Sequence, residues 1–89
     1  MDNHTIADRL RRHARDLDAE GGNLYRVRAY RHAADVILEL EEPLALLLKR
    51  RGRRGLQELP GIGSHIAASI ESLIRTGEMP PRAFVPAAC

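Results

Sequence analysis

The stretch LPGIGSHIAASI, residues 59–70, carries the most chemical information in this chain. Pro60, Gly61, Ile62 and Gly63 make a tight turn, and an amphipathic helix pattern follows at once. Gly61 and Gly63 lack a Cβ and can adopt φ > 0, so backbone N–H groups can point outward and a bulky group can approach them. The first N–H groups of the next helix are unpaired and lie at the positive end of its dipole. Ser64 and His65 open that helix. Outward amides beside a helix N-terminus form an anion site, and for a basic domain the natural anion is a phosphate. Contacts of this kind hold a nucleic-acid backbone and carry no sequence information. The competing reading is a structural αα-hairpin whose glycines only let two helices pack. A Rossmann-type turn is excluded, because GLQEL is no buried strand, and a Walker A loop is excluded because no GK[ST] is present.

The charge distribution supports the phosphate reading. The net charge is only +2. Residues 1–42 hold seven arginines against nine acids, and residues 56–89 hold two arginines against three glutamates. Between them, Lys49, Arg50, Arg51, Arg53 and Arg54 form the run KRRGRR with no acid among residues 43–55. An arginine-rich cluster is the electrostatic footprint of nucleic-acid binding, although a solvated loop or a nuclear address has the same composition. Arg9, Arg11, Arg12 and Arg15 alternate with Asp8, Asp16 and Asp18, the pattern of a solvated helix face. Arg28 and Arg31 can pair with acids such as Asp35.

Other chemistries find little support. His65 and Ser69 share a helix face, but no acid is positioned to orient a Ser–His pair. His4, His13, His32 and His65 have no close metal-ligand spacing, so zinc is not expected. Cys89 is the only cysteine, which excludes an intramolecular disulfide and fits a reducing cytoplasm. No stretch approaches a membrane span, and the first residues lack a signal-peptide core.

These residues need elements to position them. Eighty-nine residues make one small domain. Aromatics are 3%, namely Tyr25, Tyr30 and Phe84, so the core is aliphatic and the composition favours helices. Asn3 is a plausible N-cap for a helix carrying Ile6, Leu10, Ala14 and Leu17, and Gly21 and Gly22 end it. Asn23 caps a second helix with Val27, Tyr30, Ala33, Ala34, Ile37 and Leu38 on one stripe. Tyr30 is expected to pack in the core with its hydroxyl at the surface, where it can also meet a phosphate. A third helix opens at Pro43. Gly52 and Gly55 bracket a break, and GLQEL adds a short helical turn that stops before Pro60. Ile66, Ala67, Ile70, Leu73 and Ile74 define the last helix, with Ser69 and Glu71 on its surface and Gly77 at its end. Residues 80–89 are expected to be a flexible tail.

LPGIG followed by IA at residues 66–67 resembles the helix-hairpin-helix motif of DNA repair and replication proteins. NLYRVRAYRHAADVI, followed by LQELPGIGSHIAASIESLIRTGEM, is similar to the N-terminal domain of the family X DNA polymerases, the polymerase beta type. The resemblance covers nearly the whole chain, but nothing in it corresponds to a polymerase palm. It implies a bundle of four main helices that binds the 5′-phosphate side of gapped DNA. By the same resemblance, Tyr25 takes the place of a ring that stacks on DNA, and Arg26 and His65 take the places of phosphate ligands. Ala29, Tyr30 and Arg31 match the family's AYR segment. Main-chain carbonyls of Gln57, Leu59 and Ile62 correspond to a monovalent cation site for sodium or potassium. The family's Schiff-base lysine falls on Ser69, and a hydroxyl cannot form an imine.

The sequence therefore predicts an all-α bundle, residues 1–79, with one helix-hairpin-helix and a short extra helical turn. It is expected to bind DNA backbone without sequence preference, favouring gapped, nicked or 5′-phosphorylated sites, and to act as a cytoplasmic monomer, nucleoid-associated in a bacterium. The contacts are assigned to Tyr25, Arg26, Tyr30, Lys49, Arg50, Arg51, Arg53, Arg54, Gly61, Gly63, Ser64 and His65. A repair or replication protein is the expected protein partner, and no catalytic residue or required cofactor is assigned. Two alternatives stand beside this: a helical protein-docking module, and a lyase using Lys49 or the α-amino group of Met1.

Overall fold

The structure is a computed structural model and describes residues 1–80. The expected tail, beyond Pro80, lies outside the described residues. Four helices follow in order: α1 (Asn3–Ala19), α2 (Leu24–Glu39), α3 (Leu44–Gln57) and α4 (Ser64–Thr76). No strand occurs among the described residues, so the all-α expectation is met. None of the helices is long and apolar enough to cross a membrane.

Local chemistry sets the helix ends. Asp2, not Asn3, caps α1: its side chain accepts from the Thr5 amide at 2.8 Å. Asn3 is instead the first helical residue, and its side chain has a tertiary role. Its Oδ1 accepts from the Leu44 amide at 2.8 Å, and its Nδ2 donates to the Glu42 carbonyl at 2.9 Å. It thereby satisfies the N-terminus of α3, which Pro43 cannot cap with a side chain. Asn23 caps α2 as expected, accepting from the Tyr25 amide at 2.8 Å. Gly77, at φ 77°, ends α4, and Arg9 on α1 donates to its carbonyl at 3.0 Å.

The break in the third helix is at Gly52 alone, where φ is 67° and ψ is −166°. Gly55 is helical and buried, not part of the break. A Cβ there would lie 2.5 Å from Arg51 Cβ. The predicted extra turn is thus the segment of α3 after the kink.

The core is aliphatic. Ile6 and Leu10 of α1, Val27 and Ile37 of α2, Leu44 and Leu56 of α3, and Ile70 and Leu73 of α4 are all fully buried. α1 and α2 form the main pair, and α3 packs on α4. Ile62 inserts from the α3–α4 connection into the same core.

Candidate nucleic-acid interface

The connection from α3 to α4 is a chain of tight turns. The Leu59 amide donates to the Leu56 carbonyl, and the Ile62 amide donates to the Leu59 carbonyl, each at 3.2 Å. Gly61 adopts φ 77°, the left-handed conformation that favours glycine. Gly63 does not: it is the extended N-cap of α4, at φ −89° and ψ −172°. Its lack of a side chain has another effect. No side chain caps α4, so the amides of its first turn keep their donors for a ligand. A Cβ on Gly63 would meet nothing within 4 Å, so the space over this turn is open to an approaching molecule.

Gly61 faces a neighbour that the sequence did not disclose. A Cβ there would lie 2.3 Å from Cδ2 and 2.6 Å from Nε2 of His32. His32, named in the sequence only where a zinc site was set aside, thus lies flush against the hairpin. Nothing in the sequence pairs α2 with the turn at this point. The described residues contain no group of His, Cys, Asp and Glu able to hold a metal.

A groove of about 400 Å³ opens beside the hairpin. Tyr25, Arg26 and Tyr30 line it from α2, and Gly61, Gly63, Ser64 and His65 line it from the hairpin and α4. Tyr25 is 81% exposed, an aromatic ring held at the rim. Arg26 Nη1 lies 2.6 Å from His65 Nε2. A guanidinium can only donate, so His65 accepts and is neutral, with its proton on Nδ1. Burial, then the charge of Arg26, then His13, lower the His65 pKa from its ordinary value. The two residues that the resemblance assigned to phosphate are therefore in direct contact.

Tyr30 differs from expectation. It is 1% exposed, and its hydroxyl points inward to Ser69 Oγ at 3.0 Å. Ser69, expected on the surface, is 2% exposed. Its hydroxyl donates to the His65 carbonyl at 3.2 Å, so Tyr30 is the donor between the two hydroxyls. Burial raises the Tyr30 pKa, and the Ser69 bond offsets part of the rise. The Tyr30 ring lies between those of His13 and His65, edge to face, with centroids 4.7 Å and 6.2 Å away. Tyr30 therefore forms the floor of the groove, and its hydroxyl is already engaged.

The basic run is not part of this groove. Arg50 pairs bidentately with Glu42 at 2.6 and 3.1 Å, and Arg51 with Glu58 at 3.0 Å. Arg53 pairs with Glu71 at 2.7 Å, and Arg75 joins the same carboxylate at 3.1 Å. Lys49 and Arg54 are exposed and carry no ion pair among the described residues. Three of the five cations are thus matched by acids from outside the run, and Glu71 is partly buried rather than a surface residue.

The three carbonyls assigned to a cation lie along the turn. That of Leu59 accepts from Ile62, and outside the helices no backbone donor is bound by those of Gln57 and Ile62.

Comparison with protein families matches the helix-hairpin-helix domain over residues 1–79. The chain belongs to this family. The match spans all four helices and includes the Gly61 turn. Helix-hairpin-helix domains generally bind DNA without regard to sequence. A search of curated proteins finds no match to the chain.

Proposed function

We propose that this helix-hairpin-helix domain binds the phosphate backbone of DNA and favours gaps, nicks and 5′-phosphate ends. The carrying observation is the groove in which Arg26, His65 and the uncapped amides of α4 meet beside the exposed ring of Tyr25. Arg26 and the amides suit a phosphate, through charge-assisted bonds and the helix dipole. Tyr25 suits a base face. Intact duplex buries its base faces, whereas a gap or a nicked end can offer one next to a terminal phosphate. Lys49 and Arg54 contact phosphates farther along, with Arg50, Arg51 and Arg53 held in ion pairs. A sodium or potassium ion on the carbonyls of Gln57, Leu59 and Ile62 adds positive charge beside the turn.

The domain acts by binding alone. Ser69 occupies the position where the resembled family holds its Schiff-base lysine, and Lys49 lies in α3 outside the groove. A relation to family X DNA polymerases and a role in repair or replication fit the paired motifs on α2 and the hairpin. In that setting a protein partner supplies the chemistry, and the domain works as a monomer in the cytoplasm, on the nucleoid in a bacterium.

The test is binding to matched intact, nicked and gapped duplexes, each with and without a 5′-phosphate. The gapped, phosphorylated duplex is expected to bind tightest. Equal affinity for all six removes the end preference. A response that does not change with salt removes DNA binding and favours a docking module.

A further inference from the structure

A second charged groove, of about 530 Å³, lies between α1 and α2 and is lined by Asp8, Arg11, Arg12, Arg15, Arg31 and Asp35. The α1 residues were read in the sequence as a solvated face of mixed charge. Folding changes that by bringing Arg31 across from α2. Arg11 is committed to Asp35 at 2.8 Å and Arg31 to Asp18 at 3.9 Å. Arg12 and Arg15 are exposed and have no ion pair among the described residues. The groove holds four guanidinium groups against two carboxylates. It thus offers two uncommitted cations, as many as the run KRRGRR, where only Lys49 and Arg54 are unpaired.

The groove is on the far flank of α2 from the hairpin. At about 100° per residue, Arg26 and Asp35 stand about 180° apart around the helix axis. The domain measures 36 × 27 × 23 Å. Duplex DNA stays straight over such distances, with a persistence length near ~50 nm, so one short duplex cannot lie on both flanks. No apolar residue lines the groove. A protein partner needs an apolar anchor at the centre of its contact, whereas a phosphate backbone needs only cationic and polar groups. Guanidinium forks match phosphate oxygens in pairs.

We infer that the α1–α2 groove holds the phosphate backbone of a second DNA segment, so that one domain can bridge two. The inference rests on DNA binding at the hairpin flank, and the two are measured separately. Fluorescence anisotropy with one short duplex reports the hairpin flank. Capture of a labelled duplex by an immobilised one reports the bridge. The variants are Arg12→Gln/Arg15→Gln and, with the opposite sign, Asp8→Asn. The double variant is expected to retain single-duplex binding and to lose capture, because both uncommitted cations of the groove are gone. Asp8→Asn is expected to strengthen capture. Circular dichroism checks the helices of each variant.

Wild-type protein that binds one duplex but captures no second overturns the bridge and leaves the hairpin reading intact. Capture that survives Arg12→Gln/Arg15→Gln also overturns it, and points to association between protein copies. Competition by polyglutamate stronger than by an oligonucleotide of equal charge assigns the groove to an acidic protein instead. Absence of single-duplex binding removes the hairpin reading and this inference together.

Discussion

The Tyr30 hydroxyl donates to Ser69 Oγ at 3.0 Å, across the α2–α4 contact and away from solvent. Ser69 Oγ in turn donates its own hydrogen bond to the His65 carbonyl one turn back, at 3.2 Å. Ser69, onto which the resemblance places the lyase lysine, here fastens two helices.

The first prediction follows from that direction of donation. Ser69→Ala leaves a buried tyrosine hydroxyl with no acceptor and is expected to cost about 1–3 kcal/mol. Tyr30→Phe removes only one bond and is expected to cost about 0.5–1.5 kcal/mol. Denaturant unfolding of both variants checks the order. Borohydride treatment with 5′-deoxyribose phosphate DNA is expected to trap no adduct with wild-type protein. Ser69→Lys is expected to give weak trapping, because the new amine displaces a bond to Tyr30 before it can reach the groove. Strong wild-type trapping lost in Lys49→Ala makes the chain a lyase.

The second concerns pH. The folded state lowers the His65 pKa, so its neutral form is the one that folding favours. This contribution to stability is present above the unfolded value near ~6.5 and is lost as pH falls from there toward the folded value. Phosphate has the opposite preference. A bound phosphate favours imidazolium, and protonation frees Arg26 from His65 to act as a second ligand. From pH 7.5 to 5.5, the free protein is expected to lose stability and DNA affinity to rise, by at most about tenfold per pH unit for one coupled proton. His65→Gln should flatten the affinity profile. If the variant keeps the full wild-type profile, His65 is not the coupled group.

The two hairpin glycines should respond differently to substitution. Gly61→Ala meets both the positive φ, worth roughly 1–2 kcal/mol, and the His32 ring. His32→Ala should restore part of the loss but not the backbone component. Gly63→Ala meets open space at an ordinary φ, so its melting temperature should stay near wild type. Its DNA affinity should fall, because the methyl group occupies the approach to the α4 amides. Unchanged affinity in a folded Gly63→Ala protein would remove the hairpin from the interface.

The basic run divides in a fourth experiment. Lys49→Gln and Arg54→Gln should each reduce the salt slope of DNA binding by about one, with little effect on stability. Arg53→Gln should act mainly on stability, by about 1 kcal/mol, since it removes one of the two cations on the Glu71 carboxylate at the α3–α4 contact and leaves Arg75. A uniform effect of all three on the salt slope would restore the run as one phosphate-binding patch.

Much of the fold was legible because it is local. The Asn23 cap, the Gly77 stop and the apolar stripe of α4 are written within one or two turns of each helix. So was the hairpin, whose glycines and following stripe are contiguous. The misread features depend on residues distant in sequence. Asp2 and Asn3 are equally good caps in isolation, and only the approach of Leu44 decides between them. Gly52 and Gly55 look alike until α3 bends at one and packs at the other. The charge of KRRGRR was counted without Glu42, Glu58 and Glu71, which sit outside the run and reach it only in the fold. Tyr30 and Ser69 are 39 residues apart, and neither shows alone that its hydroxyl is buried. At the groove, the resemblance named Tyr25, Arg26 and His65, which the fold brings together, whereas the approach of His32 was not legible because its partner is a backbone turn.

The Asn3 clamp also bears on the order of folding. α1 and α2 are joined by a short connection, so their pairing closes a small loop at low entropic cost and can form early. The bonds from Asn3 to Leu44 and Glu42 close about forty residues of chain. Such long-range bonds form after the rate-limiting step when the nucleus is local. Their free energy then resides in the unfolding barrier. Asn3 is thus expected to act as a kinetic latch, with Asn3→Ala raising the unfolding rate more than it lowers the folding rate in stopped-flow measurements.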